Sequence, residues 1–577
     1  MKDLKAILRF IKYDKKNFIL SITLIIVETL FELMIPFVMK DIINKGINES
    51  NMGAILIYGL IIIGCAIISV ITGHFYAVYN AKFVTNFTSR LRLELFKKIQ
   101  SFSFSNLDNF DSASLITRVT NDVAVIQSTL AGSIRPLIRS ILMMTVGIGL
   151  SFILSAKLAW IFVVAVPILA VILILIIRNT TPKYKKLQEA IDNINLVVRE
   201  DIIAIRTVKA YVREEHEKTK FNNANTYEKN ITNSTFKISI LNQPAFEFVM
   251  YAVTVLILSF GASLVHSQEL EVGTLSALLS YVLQVINSIM MLSNVFLLLN
   301  RSFASASRIN AILIEEPIIK NEGDKLIENA DVIFNNVDFK YKEDSELFAL
   351  KNINLKIPQG TSLGIIGGTG SAKTTLVSLI SRLYDVSNGN ILIDNVDIKK
   401  YDLKNLRDSI SIVLQNNVLF SGTIRENLLW GNKNAKDEEI YEALKIAQAY
   451  DFVMDFGGLD YDLGQGGVNV SGGQRQRLCI ARALLKKPKI IIFDDSTSAC
   501  DMETERKILK GIRTLKNVTN IIIGQRIVSV CEADNIIILD DGEIVASGNH
   551  KTLYKESNIY KELCDTQLGG EDYGNNA

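Results

Sequence analysis

The sequence predicts a two-part chain. An all-α membrane domain of six helices, continuing well past the bilayer on one side, precedes an α/β domain built around a phosphate-binding strand, loop and helix. Three observations predict it. The chain is 49% hydrophobic over 577 residues, with a mean hydropathy of +0.26, which is too apolar for an ordinary soluble protein. The apolar excess sits in about the first 300 residues, and the remainder of the chain reads as a soluble domain. Within that second part, "LGIIGGTGSAKTTLVSLISRL" joins a β-branched run to a glycine-rich turn and a helix.

Six stretches are long enough to cross a bilayer, at approximately 18–39, 54–80, 134–155, 158–178, 244–265 and 274–299. Short links join the first to the second, the third to the fourth and the fifth to the sixth, whereas the other two connections are long, charged and rich in helix formers. Lys2, Lys5, Arg9, Lys12, Lys15 and Lys16 precede the first span, and segment 179–243 carries Lys183, Lys185, Lys186, Arg199, Arg206 and Lys209. The link "HSQELEVG" has neither Lys nor Arg. The positive-inside rule therefore puts both termini and both long connections in the cytoplasm, and the chain in the cell membrane. The basic N-terminus leads into an apolar stretch too long for a signal-peptide core, so it reads as a retained span.

Residues 1–315 are assigned to the membrane domain, 316–330 to a linker, 331–566 to the α/β domain and 567–577 to a polar tail. The net charge of +2 offers no argument for a nucleic-acid partner. The five cysteines fit neither a metal site nor a disulfide framework. Inside the spans, Glu28 and Glu32 share a helix face, and Glu247 lies in the fifth span. Such acids face a water-filled cavity for cationic or amphipathic substrates, or they pair internally, with Arg135 and Arg139 as the nearest candidates.

The phosphate loop comprises Gly367, Gly368, Thr369, Gly370, Ser371, Ala372, Lys373 and Thr374, followed by Thr375. Successive backbone N–H groups and the helix N-terminus cradle phosphate oxygens, Lys373 reaches the β/γ-phosphates, and the Thr374 hydroxyl suits Mg²⁺. Such loops usually have Gly where this one has Ala372. A methyl is tolerated there if the backbone takes ordinary helical angles, and nucleotide binding is expected to persist. "KIIIFDDSTS" supplies an apolar strand ending in Asp494, a Mg²⁺ ligand through water, and Asp495. Between the two, Ser471, Gly472, Gly473 and Gln474 open a helix and form a second anion site.

Phosphate loop, SGGQ and acidic strand, in that order behind six spans, resemble an ATP-binding cassette (ABC) exporter half-transporter over nearly the whole chain. The resemblance implies an ATP sandwiched between two cassettes, with the phosphate loop and acidic strand from one and the SGGQ signature from the other. It also implies roles for single residues. Tyr341 stacks on adenine, Gln415 lies near Mg²⁺, and Asp501 belongs to the D-loop, where Cys500 replaces the usual Leu. "NFDSASLITRVTNDV" and "REDIIAIRTVKAYVREEHEKTKF" correspond to intracellular loops whose tips form coupling helices.

The chain departs from this family at the hydrolytic positions. Asp495 stands where the family has its catalytic Glu, and Gln525 where it has its switch His. Asp is one methylene shorter, about 1.5 Å, and a misplacement of about 1 Å can cost ~100-fold in rate. Gln donates a hydrogen bond but carries no proton or charge. Gln465 and Gly466 also replace an acidic and a basic residue just before the signature. The expectation is a site that binds ATP and Mg²⁺ but hydrolyses poorly, in one half of a heterodimeric exporter of amphipathic drugs or lipids. The partner half-transporter would carry the catalytic Glu and the switch His. The alternatives are a homodimeric exporter with slow ATPase activity and a nucleotide-sensing channel or regulatory subunit.

Overall fold

The computed structural model describes residues 2–568. They form two compact units: one runs to Gln100 and resumes over Ser112–Glu315, and the other comprises Ser101–Asp111 and everything from Glu316 onward. Among the described residues, six helices are long and apolar enough to cross a membrane.

The first unit is a bundle of long helices, chiefly Lys15–Asp41, Met52–Gln100, Val123–Leu154, Ala156–Ile203, Asn242–His266 and Val272–Ile314. A helix of 49 residues such as Met52–Gln100 is about 73 Å long, more than twice the hydrocarbon core. Its charged second half therefore lies beyond the apolar layer, as the composition of the long connections predicts. Ser155 alone, in extended backbone, separates the third spanning helix from the fourth. Leu33, Met143, Phe162, Tyr281 and Ile286 share one buried cluster, and the Tyr281 hydroxyl donates to the Leu33 carbonyl at 2.7 Å.

The membrane acids pair internally. Arg135 donates to Glu28, and Arg139 Nη2 donates to Glu32 Oε1 at 2.5 Å. Glu28 is buried, and an unpaired charge there would cost several kcal/mol, on the order of 3–5. Two acids and two guanidinia, each a turn apart on its own helix, neutralise one another. The acid pair therefore gives no support to a cationic substrate. Glu247 accepts only from Gln243 of its own helix, at 3.0 Å, among the described residues.

Among the described residues, the second unit holds ten strands in two sheets. In chain order they are β1 (Val332–Phe339), β2 (Leu350–Ile357), β3 (Ser362–Ile366), β4 (Asn388–Ile393), β5 (Val396–Asp397), β6 (Ile410–Val413), β7 (Ile490–Asp494), β8 (Thr519–Ile523), β9 (Asn535–Asp540) and β10 (Glu543–Gly548). The smaller sheet is antiparallel with order β2-β1-β4-β5; the larger has order β10-β9-β3-β8-β7-β6 and is parallel from β9 through β6. The central strands "SLGII", "IIIFD" and "TNIII" are buried along their whole length, which is why they read as unbroken apolar runs rather than alternating ones.

Segment Ser101–Asp111 belongs to this unit although its neighbours in sequence do not. It contains the short helix Phe104–Asp108, at the start of the first long connection. Ile318 N–H donates to Asn106 Oδ1 at 3.0 Å, and the Tyr384 hydroxyl donates to Asp108 Oδ2 at 2.8 Å. Helix Asn558–Leu568 includes the first two residues of the expected polar tail, and the remainder of that tail lies outside the described residues.

Candidate nucleotide site

β8 lies between β3 and β7, and all three run parallel, with Ile365 in register with Ile523 and Asp494 with the same residue. Their carboxyl ends therefore emerge side by side, where open α/β sheets bind ligands. The phosphate loop follows β3, the two acids end β7, and Gln525 follows β8. A cavity of about 380 Å³ opens there, lined by Tyr341, Thr369, Gly370, Ala372, Lys373, Thr374, Thr375, Gln415, Asp494, Asp495 and Gln525. Residues drawn from five separate parts of the sequence thus share one cavity.

Within the loop, Lys373 Nζ donates to the carbonyls of Gly367 and Gly368 at 2.9 and 2.6 Å. Burial pushes its ammonium below the ordinary lysine range, against the pull of Asp495 and Asp494. The Ser371 hydroxyl donates back to the Gly368 carbonyl at 2.9 Å. A Cβ at Gly367 would sit 2.1 Å from the Leu539 carbonyl oxygen, so no other residue fits. Gly370 has φ +87°, and Ala372 follows at φ +69°. Ala372 does not take the ordinary helical angles that its tolerance presupposed. It caps the helix Lys373–Ile380 in the left-handed region, at a cost of roughly 1–2 kcal/mol for a residue with a Cβ.

The Thr374 hydroxyl donates to Asp494 Oδ1 at 2.9 Å, and Asp494 is buried at the base of the cavity. Burial raises its carboxyl above the usual aspartate range, opposed by the Thr374 bond. Thr374 Oγ1 and Asp494 are adjacent and Gln415 lines the same cavity; hydroxyl, carboxylate and amide oxygens are the donors a hard cation such as Mg²⁺ takes. Asp495, in the left-handed region at φ +47°, accepts at Oδ2 from Gln525 Nε2 at 2.9 Å and from Gln415 Nε2 at 3.5 Å. Burial, then the charge of Glu505, raises its carboxyl. Tyr341 is half exposed, its hydroxyl 2.7 Å from Thr375 Oγ1 and its ring edge-on to Tyr384.

The SGGQ residues lie outside this cavity. Ser471 caps helix Gly472–Leu485, accepting from Gln474 N–H at 3.3 Å while Gln474 Oε1 accepts from Ser471 N–H at 2.9 Å. Ser471 and Gly472 are exposed. A Cβ at Gly473 would come within 2.9 Å of the Ala499 carbonyl oxygen, which fixes glycine there. Asp501 caps the next helix, Met502–Arg513, accepting from Thr504 N–H at 2.9 Å, and Cys500 is buried beside Gln476.

A model of the ABC transporter transmembrane region matches residues 18–289, and the ABC transporter model matches 350–498. An uncharacterized ABC transporter ATP-binding protein of Bacillus subtilis, YfiB, is 37% identical over 96% of each chain. This chain belongs to the ABC transporter family.

Other relatives of this ABC transporter include an ATP-dependent lipid A-core flippase of Desulfotalea psychrophila, 32% identical over 96% of this chain and 98% of that one. Its fold is similar to that of a bacterial Atm1-family ABC exporter solved with ATP bound, with a TM-score of 0.81, 22% identity, and coverage of 97% and 99% of the two chains. One membrane domain fused to one nucleotide-binding domain makes the transporter chain a half-transporter.

Some residues that shape the transporter's nucleotide cavity gave no sequence signal. Glu505 is buried and accepts at Oε1 from Thr497 Oγ1 at 2.7 Å and Ser529 Oγ at 2.5 Å, tying the end of the acidic strand to the loop carrying Gln525. Gln567 Nε2 donates to the Gln525 carbonyl at 3.0 Å, and Ile527 N–H donates to Gln567 Oε1 at 2.8 Å. Both look like ordinary polar residues of surface helices in the sequence. Phe348 and Asp541 also line the cavity, and only a known fold would reveal them.

Proposed function

We propose that the chain is the degenerate-site half of a heterodimeric, ATP-driven exporter of amphipathic substrates, of lipid or multidrug type. One observation carries the reading. Asp495, where the family's catalytic acid belongs, is held by the amide of Gln525 at 2.9 Å, while the SGGQ helix start is intact and exposed. A general base must reach the water it activates. This carboxylate is short, its charge is costly in a half-buried site, and its neighbour offers an amide in place of an imidazole. ATP and Mg²⁺ bind at Lys373, Thr374 and Asp494 with the base on Tyr341, and turnover is slow. Ser471, Gly472, Gly473 and Gln474, the first two of them exposed, complete a working site on the partner, whose hydrolysis resets the transporter.

Both termini and the nucleotide-binding domain are cytoplasmic on this reading, from the Lys and Arg bias of the connections. The lipid side of the substrate class is favoured by the relative named a lipid A-core flippase. The test is nucleotide trapping. After turnover with radiolabelled ATP, the isolated pair should retain unhydrolysed ATP in this chain's site and ADP in the other. Equal ADP in both sites would contradict the proposal.

A further inference from the structure

A second cavity, of about 400 Å³, opens where the N-terminal helical turn Arg9–Asp14 meets the long helix Met52–Gln100. Its walls are Phe10, Tyr13, Asp14, Asn86, Phe87 and Arg90. Its residues lie four to eight positions ahead of the first span and six to ten after the second, on the side of the bilayer from which the first span enters and to which the second returns. Nothing in the proposed transport cycle uses it.

Its chemistry is that of two separated opposite charges over an aromatic wall. Arg90 lies with its guanidinium 4.8 Å from the centre of the Tyr13 ring, and its Nη2 pairs with Glu94 at 3.0 Å rather than with Asp14. A guanidinium has five N–H donors, and Nε of Arg90 has no acceptor among the described residues. Asp14 takes both of its amide donors, Asn17 at 3.0 Å and Asn86 at 2.8 Å, on the same oxygen, Oδ2. That leaves Oδ1 for a further donor. Asn86 and Arg90 are one turn apart on the same helix face, so acid and base sit a turn apart along the cavity. Phe10, Phe87, Phe83 and Phe18 form a run of ring contacts leading from the cavity into the first span.

We propose that this cavity binds the headgroup of a phospholipid bearing a primary ammonium, of the phosphatidylethanolamine type. The phosphate accepts from Arg90, the ammonium donates to Asp14 Oδ1 across the two-carbon linker, and the glycerol lies against the half-buried Phe10 and the exposed Tyr13. A choline headgroup has no N–H for Asp14, and a glycerol headgroup brings a net negative charge beside it. The site is thus selective by headgroup, whatever the transported substrate.

The experiment is lipid retention by the full 577-residue chain, read by native mass spectrometry after controlled delipidation. The lipids share acyl chains and differ in headgroup: ethanolamine, its mono- and dimethyl forms, choline and glycerol. Retention should fall along the methylation series, with ethanolamine held at least roughly tenfold over choline, as a charge-assisted hydrogen bond implies. Asp14→Asn should erase that preference while keeping phosphate-dependent retention, and Arg90→Gln should weaken all five lipids. Equal retention of ethanolamine and choline lipids by the unaltered chain would overturn the proposal without recourse to any variant. So would a preference that survives Asp14→Asn, or a glycerol lipid held as tightly as ethanolamine.

Discussion

Gln525 donates to Asp495 at 2.9 Å: the residues standing where the family resemblance puts the hydrolytic Glu and the switch His are hydrogen-bonded to each other. The bond holds the short carboxylate to Gln525 through Oδ2 and commits one of the amide's two N–H donors. Asp495→Glu with Gln525→His should therefore raise the ATPase activity of the chain's own site by on the order of 100-fold, read as single-turnover hydrolysis. Asp495→Glu alone should gain much less. It should also lower the melting temperature, because a longer side chain is placed at a left-handed position that aspartate tolerates better.

Ala372 is strained rather than cramped. At φ +69° it occupies a backbone region where the Cβ is the difficulty. Ala372→Gly should stabilise the chain by about 1 kcal/mol and leave ATP affinity unchanged or improved. Thermal unfolding and nucleotide titration of the purified variant measure both.

The membrane ion pairs should behave as pairs. Arg135→Met leaves Glu28 buried without its partner and should cost about 3–5 kcal/mol. Combining it with Glu28→Leu should recover most of that loss. A double-mutant cycle on thermal stability in detergent gives the coupling, and additive losses would mean the two residues do not depend on each other.

His550 supplies a pH prediction. Its ring accepts or donates at Nδ1 with the Tyr560 hydroxyl at 2.8 Å, and burial holds its pKa below the ordinary 6.5. The unfolded chain then binds the proton first as pH falls, so stability is full above about pH 6.5 and declines below it toward the lower folded value. His550→Gln should flatten that decline in pH-dependent melting curves.

Much of this was legible in the sequence, because the signals were periodic or dense. Twenty-residue apolar runs can only be spans, and strand, glycine turn and Lys373-Thr374 in succession leave few alternatives. What stayed hidden depended on tertiary placement. The left-handed angles of Ala372 follow from how the loop closes over the Gly367 and Gly368 carbonyls, and no local composition reveals that. Glu28 and Glu32 admitted either a cavity or internal pairing until the Arg135 and Arg139 helix faced them. Glu505 and Gln567 reach the site through the third dimension alone. Segment 101–111 sits with the nucleotide-binding unit because Asn106 and Asp108 find hydrogen-bond partners there, a choice that sequence order conceals.

On the proposed function, this chain supplies half of each working site. The most direct measurement is ATP hydrolysis by the chain purified alone and with a candidate partner half-transporter that carries Glu and His at the positions of Asp495 and Gln525. The expected result is near silence alone, activity for the pair, and loss of that activity on Ser471→Arg in this chain. Hydrolysis by the chain alone at the rate of the pair would contradict it and make Asp495 a competent base in a homodimer.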